Sequence, residues 1–213
     1  MYGDPILRPA FFLDPAAPSL REVTNCFLLG ADLMIVCDTS AVQQSNETIF
    51  TQSIPPALQS SWCALSFQDF DPTWVAEASL PSLYIRKGSI LILGKSIMST
   101  AETAFDQMFI IAHLDASNQA TTQLYVDKGD GEANATNSQL LDFRIYKEMS
   151  SNDMQWLKLH CEVVYGGSVE LPTFRYCTLI VTDRDGNKIR RKNFEMHPHW
   201  HPHHCTMRYE DHS

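Results

Sequence analysis

The residues of this chain best suited to chemistry crowd one end: Glu195-Met-His197-Pro-His199-Trp-His201-Pro-His203-His204-Cys205. His212 follows shortly after. In an extended backbone, side chains alternate, so His197, His199, His201 and His203 project to one side. The interleaved prolines fix φ and favour such a conformation. Imidazoles at this spacing suit Zn²⁺, Ni²⁺ or Cu²⁺, with His204 or Cys205 completing the shell. The candidate metal ligands are therefore His197, His199, His201, His203, His204 and Cys205. A polar tail facing water, or adventitious metal uptake, would produce the same composition. The cluster is also a proton sensor in prospect. Eight protonated histidines would move the formal charge from −9 to −1 (−9 + 8), and self-association should then strengthen on mild acidification.

Other catalytic constellations fail on spacing. Gly166-Gly-Ser168-Val lacks the second glycine of a nucleophile elbow. His160 and Cys161 are adjacent, which in a strand sends them to opposite faces, so they cannot act as a base–nucleophile pair. A cupin-like metal site would need an H-x-H pair, then a carboxylate, then a later histidine. Here His113 and His160 stand alone, and only Glu210, Asp211 and His212 carry such groups beyond the cluster. Asp127-Lys-Gly-Asp130-Gly-Glu132 and Asp183-Arg-Asp185-Gly-Asn187 place oxygen ligands on turns, without the EF-hand pattern. Ordinary turn chemistry explains both. Gly129-Asp-Gly131 is not followed by the lysine or helix of a phosphate loop.

Charge narrows the partners. A net charge of −9 over 213 residues works against nucleic acid as a main partner, and direct binding to it is not expected. The densest basic run, Lys188-Ile189-Arg190-Arg191-Lys192, reads as a solvated strand end after a turn. No apolar run reaches the ~20 residues of a membrane-spanning helix, so membrane insertion is not expected. The first residues lack a secretion pattern. The expected location is cytoplasmic, or within a particle assembled there. Cys26, Cys37, Cys63, Cys161, Cys177 and Cys205 are widely spaced and mostly in apolar segments, which suits buried thiols better than a disulfide framework. The sequons Asn46-Glu-Thr and Asn134-Ala-Thr carry little weight beside such an expectation.

The elements that must hold these groups are strands. Residues 1–18 contain four prolines and read as an extended strap. Pro18-Ser19-Leu20-Arg21-Glu22 offers one helical turn capped by Ser19. Thr24–Leu29 and Leu33–Cys37 flank Gly30-Ala-Asp32 as a hairpin. Residues 38–60 form a long polar loop, and Trp62–Phe67 a strand. Asp71-Pro72 opens a short helix ended by Pro81. Strands are expected at Leu83–Arg86, at Ser89–Leu93 with both faces buried, and at Phe109–Ala112. Gln123–Val126 leads into the loop 127–138. Leu141, Phe143 and Ile145 alternate with Asp142 and Arg144. Leu157, Leu159, Cys161, Val163 and Tyr165 alternate with Lys158, His160 and Glu162. That period of two marks strands with one wet face. Phe174–Val181 is a further strand.

About nine or ten short strands separated by turn signals predict an all-β fold. It should be a β-sandwich, of which a jelly roll is one form, with long loops and one or two short helices. The expectation is one domain over 1–213, with the strap 1–18 and a His-rich tail 195–213. On negative grounds, the expected function is a non-catalytic structural or binding module that self-associates or joins another subunit, such as a viral capsid, protrusion or decoration protein. The alternatives are a cupin-like metal-dependent enzyme using the C-terminal histidines, and a lectin-like module stacking sugars on Trp62, Trp74, Trp156 or Trp200.

Overall fold

The computed structural model describes residues 5–37, 56–66, 80–94, 107–127, 134–149, 155–166, 176–183, 188–195 and 205–210. The chain divides into two compact units, Met1–Lys87 and Gly88–Ser213.

The first unit holds β1 (Leu7–Pro9), β2 (Cys26–Leu29), β3 (Leu33–Val36), β4 (Trp62–Leu65) and β5 (Ser82–Arg86). They form an antiparallel sheet in the order β1-β2-β3-β5-β4. The predicted hairpin is present: Leu29 pairs with Leu33 across Gly30-Ala31-Asp32, with Gly30 at φ 68°. Period-two patterning then sends Cys26, Leu28, Met34, Val36 and Trp62 into one core. Ala10, Leu20 and Leu58 complete that core from the short helical turns Ala10–Phe12, Pro18–Arg21 and Pro56–Ser61. Ser19 is not the cap. The turn starts on Pro18, and Ala17 occupies the N-cap without a side-chain bond. Proline at the first helical position has no N–H to satisfy, so the start moves ahead of the serine.

The second unit holds β6 (Ser89–Gly94), β7 (Gln107–His113), β8 (Gln119–Asp127), β9 (Ser138–Met149), β10 (Gln155–Tyr165), β11 (Tyr176–Thr182), β12 (Lys188–Glu195) and β13 (Cys205–Glu210). Their order in one sheet is β12-β11-β7-β6-β8-β9-β10-β13. The β7–β11 and β6–β8 pairs are parallel, and the others antiparallel. One face gives Ile90, Met108, Ile110, Ala112, Ala120, Leu141, Phe143, Ile145, Leu159, Cys161, Leu179 and Val181 to a single cluster. Among the described residues, every member of that cluster comes from this unit. Phe143 is fully buried there, and truncating such a side chain costs about 3–5 kcal/mol.

The fold is all-β with few helical residues, as the turn spacing and alternation predict. Two local expectations change. Burial on both faces belongs to β7, through Ile110, Ile111 and Ala112, and to β11, through Leu179, Ile180 and Val181. In β6, Leu91, Ile92 and Leu93 are only half-buried. The inward alternation of β10 also stops before Tyr165, which is exposed beside Val164. The β9–β10 register shifts between Val163 and Tyr165, and an extra residue in one strand reverses which face the following side chains meet.

The connection from β7 to β8 is closed by Asp115. Its Oδ1 accepts the N–H of Ser117 at 2.8 Å and of Gln119 at 3.1 Å. Asn118 takes the left-handed conformation at φ 58° that asparagine tolerates.

Candidate functional site

The structure places the predicted metal ligands unevenly. His197, His199, His201, His203 and His204 lie outside the described residues, as does His212. Cys205 opens β13, where its Cα is the register partner of Cys161. Of the two Asp-rich turns, Asp127 ends β8 and Asp183 follows β11, while the remaining carboxylates fall outside the described residues. Trp74 and Trp200 lie outside them too, and Trp62 is 4% exposed in the core of the first unit, where it cannot stack on a ligand.

His113 ends β7 fully buried. Its Nδ1–H donates to the Leu114 carbonyl at 2.9 Å. Its cross-strand neighbours are the hydroxyl residues Ser89 and Thr182. This is a core imidazole tied to backbone. Of the cysteines expected to be buried, Cys26 and Cys161 are buried, while Cys37 and Cys63 are half-buried.

The chemically richest surface is the outer face of β8, β9 and β10. Because β9 and β10 pair antiparallel, Glu162 stands opposite Asp142, His160 opposite Arg144, and Lys158 opposite Tyr146. Thr121 and Gln123 of β8 extend the Arg144 and Asp142 rows. Lys158 Nζ forms an ion pair with Glu148 Oε2 and lies 6.0 Å from the centroid of the Tyr146 ring. His160 Nε2 is 3.7 Å from Glu162 Oε2, two residues along the same face. Cys161, between them, is buried on the opposite side, which confirms that it and His160 cannot cooperate.

The face thus alternates carboxylates, cations, amides and an aromatic ring across neighbouring strands. Directly opposed residues have Cβ atoms about 4.5–5.5 Å apart, so each row presents several hydrogen-bonding groups to one ligand. Such a surface can hold a polyhydroxylated molecule or a polar partner. The wet positions Lys158, His160 and Glu162 are visible in the sequence as the polar half of an alternation, as are Asp142 and Arg144. Which of them stand opposite one another is not visible, because no single strand encodes the register.

No family model matches the chain. Its sequence is 28% identical over 194 residues to an uncharacterized family 31 glucosidase of Schizosaccharomyces pombe, across 88% of this chain and 18% of the relative. A second family 31 glucosidase of that organism is 26% identical over 134 residues, across 60% of this chain and 13% of the relative. The solved family 31 α-glucosidase of Bacteroides thetaiotaomicron matches 78% of this chain and 24% of its own, with 27% identity and a TM-score of 0.50. The likeness is to carbohydrate-active enzymes. The chain spans less than a fifth of the length of the curated relatives it matches.

These similarities overturn the expected function. A capsid, protrusion or decoration subunit does not fit a chain that resembles glucosidases along most of its length, and the cupin-like and lectin-like alternatives fall with it. A missing local signature carries no information about the whole protein. A strand-rich stretch can belong to an enzyme without holding a reaction centre of its own, and fold does not fix function. Low charge and polar loops are equally compatible with both.

Proposed function

We propose that this chain is the strand-rich portion of a carbohydrate-active enzyme of the glycoside hydrolase family 31 kind, acting on α-linked glucosyl substrates. The observation that carries the reading is the asymmetry of the match: 88% of this chain corresponds to only 18% of a glucosidase. Glycoside hydrolysis uses two carboxyl groups on either side of the scissile bond, about 5–5.5 Å apart for retention and about 6.5–9.5 Å for inversion. Asp142 and Glu162 are neighbours, but on a sheet face where Glu162 is 41% exposed and Arg144 is open to water. Such a face neither surrounds a sugar ring nor excludes water. Its role in this reading is to contact the remainder of the enzyme, while bond cleavage occurs elsewhere.

A second observation supports a portion that works against more polypeptide. At the edge of the first sheet, Leu7 is 62% exposed and its register partner Leu29 39% exposed, beside Ile6 at 72%. Exposed apolar groups gathered at one place mark interaction surfaces.

The test is release of the chromophore from an aryl α-glucoside. The 213-residue chain alone should show no turnover. Joined to, or mixed with, the remaining four-fifths of a family 31 glucosidase, it should restore hydrolysis. Turnover by the chain alone, or none in any combination, would defeat the reading.

A further inference from the structure

The sequon Asn134-Ala135-Thr136 sits in the turn that leads into β9, and all three residues are exposed. Its geometry is specific. Asn134 Oδ1 accepts the Thr136 hydroxyl at 2.6 Å and the Thr136 N–H at 2.9 Å. The backbone closes around the same residue: the Asn134 carbonyl accepts from Asn137 N at 3.2 Å and Ser138 N at 3.0 Å, and Ser138 Oγ–H donates to it at 2.6 Å. Asn134 N–H in turn donates to Asn137 Oδ1 at 2.8 Å. These bonds all lie within residues 134–138, and Asn134, Ala135 and Thr136 face outward.

A sequon becomes meaningful when it falls on a surface loop. Here the third-position hydroxyl also bonds the carboxamide oxygen of the acceptor itself. Two hydrogen bonds to Oδ1 polarise the amide, which makes an Nδ2 proton easier to remove, and fix its plane. From this arrangement we infer that Asn134 is an acceptor for N-linked oligosaccharide. In the transfer, Asn134 Nδ2 attacks the anomeric carbon of a lipid-pyrophosphate-linked oligosaccharide. A C–N bond forms and the anomeric C–O bond breaks. The lipid pyrophosphate leaves with the electron pair, and one Nδ2 proton passes to a base of the transferase. No electrons change hands beyond these pairs. The inference rests on the turn alone and is independent of the family 31 reading. It places the chain on a route through a compartment that holds such a donor, which the sequence expectation of a cytoplasmic protein does not.

The experiment treats the full-length protein from its native cells with an amide-releasing glycosidase in ¹⁸O water, followed by peptide mass spectrometry. Asn134 should appear as ¹⁸O-labelled aspartate, with a loss of apparent mass on gels. Three variants of the full chain separate chemistry from folding. Thr136→Ser should keep the modification, because a hydroxyl remains. Thr136→Val should lose it. Asn134→Asp should also lose it while melting like the parent, because its carboxylate still accepts both Thr136 bonds. Unlabelled Asn134 in the native protein would overturn the inference, as would modification that persists in Thr136→Val.

Discussion

Gly166 lies against Ser138: a β-carbon on Gly166 would overlap the Ser138 carbonyl oxygen and come within 3.1 Å of the Gln139 Cα. The residue that follows β10 is thereby seated on the residue that starts β9, in the left-handed conformation at φ 81°. Gly30, also left-handed at φ 68°, has nothing within 4 Å of the equivalent position. The two glycines separate conformational from steric cost. Gly30→Ala should cost about 1–2 kcal/mol from the left-handed backbone alone. Gly166→Ala must add the displacement of backbone and should exceed it by at least about 1 kcal/mol. Urea unfolding of the two variants decides, and equal losses would remove the claimed contact.

The Asp115 turn gives a graded prediction. Asp115→Ala leaves the N–H groups of Ser117 and Gln119 without their acceptor, which costs about 1–2 kcal/mol. Asp115→Asn keeps an oxygen at the same place and should lose less than half of that. Thermal melts of both variants, compared with the parent, measure the difference.

Lys158 and Glu148 form a pair with unequal burial, their side chains being 12% and 48% exposed. Solvent on the glutamate side screens the attraction, so a double-mutant cycle should give a coupling below about 1 kcal/mol that shrinks with added salt. Lys158→Ala should nevertheless destabilise more than Glu148→Ala, because it also strips the lysine stem from beside Tyr146. A larger loss from Glu148→Ala would contradict this.

Alkaline pH should weaken the first unit. Burial pushes the Cys26 thiol above its usual 9.0. Burial also raises Tyr84 above its usual 10.0, against the opposing effect of a hydrogen bond with Ser82. Both groups are neutral when protonated, so the folded state holds these protons more tightly than the unfolded state. Their contribution is complete below the unfolded values and is lost as pH rises through 9.0 and 10.0 toward the higher folded ones. Urea midpoints taken from about pH 8 to about pH 10.5 should fall, and less steeply in Cys26→Ala. An identical slope in the variant would exonerate the thiol.

Much of the fold was legible because alternation is a local consequence of strand geometry. Leu141, Phe143 and Ile145 point inward, and Asp142 and Arg144 outward, as their period of two requires. The Gly30 hairpin was readable from the turn residue that permits positive φ. The candidate site was only half legible. Lys158, His160 and Glu162 announce a wet face, but the residues that oppose them depend on a register that no single strand encodes. The metal-ligating cluster read from histidine spacing lies, apart from Cys205, outside the described residues.

The chain's order of residues determined by itself which segments become strands and which side of each is apolar, since those follow from side-chain alternation and turn stereochemistry. It could not determine the neighbours. β5 and β6 are separated only by Lys87 and Gly88, and local rules would pair them. The structure instead gives β5 to β3 and β4, and β6 to β7 and β8. That choice rests on which apolar faces can be buried together. Burial sums over residues far apart in the chain, and only the folded whole evaluates the sum.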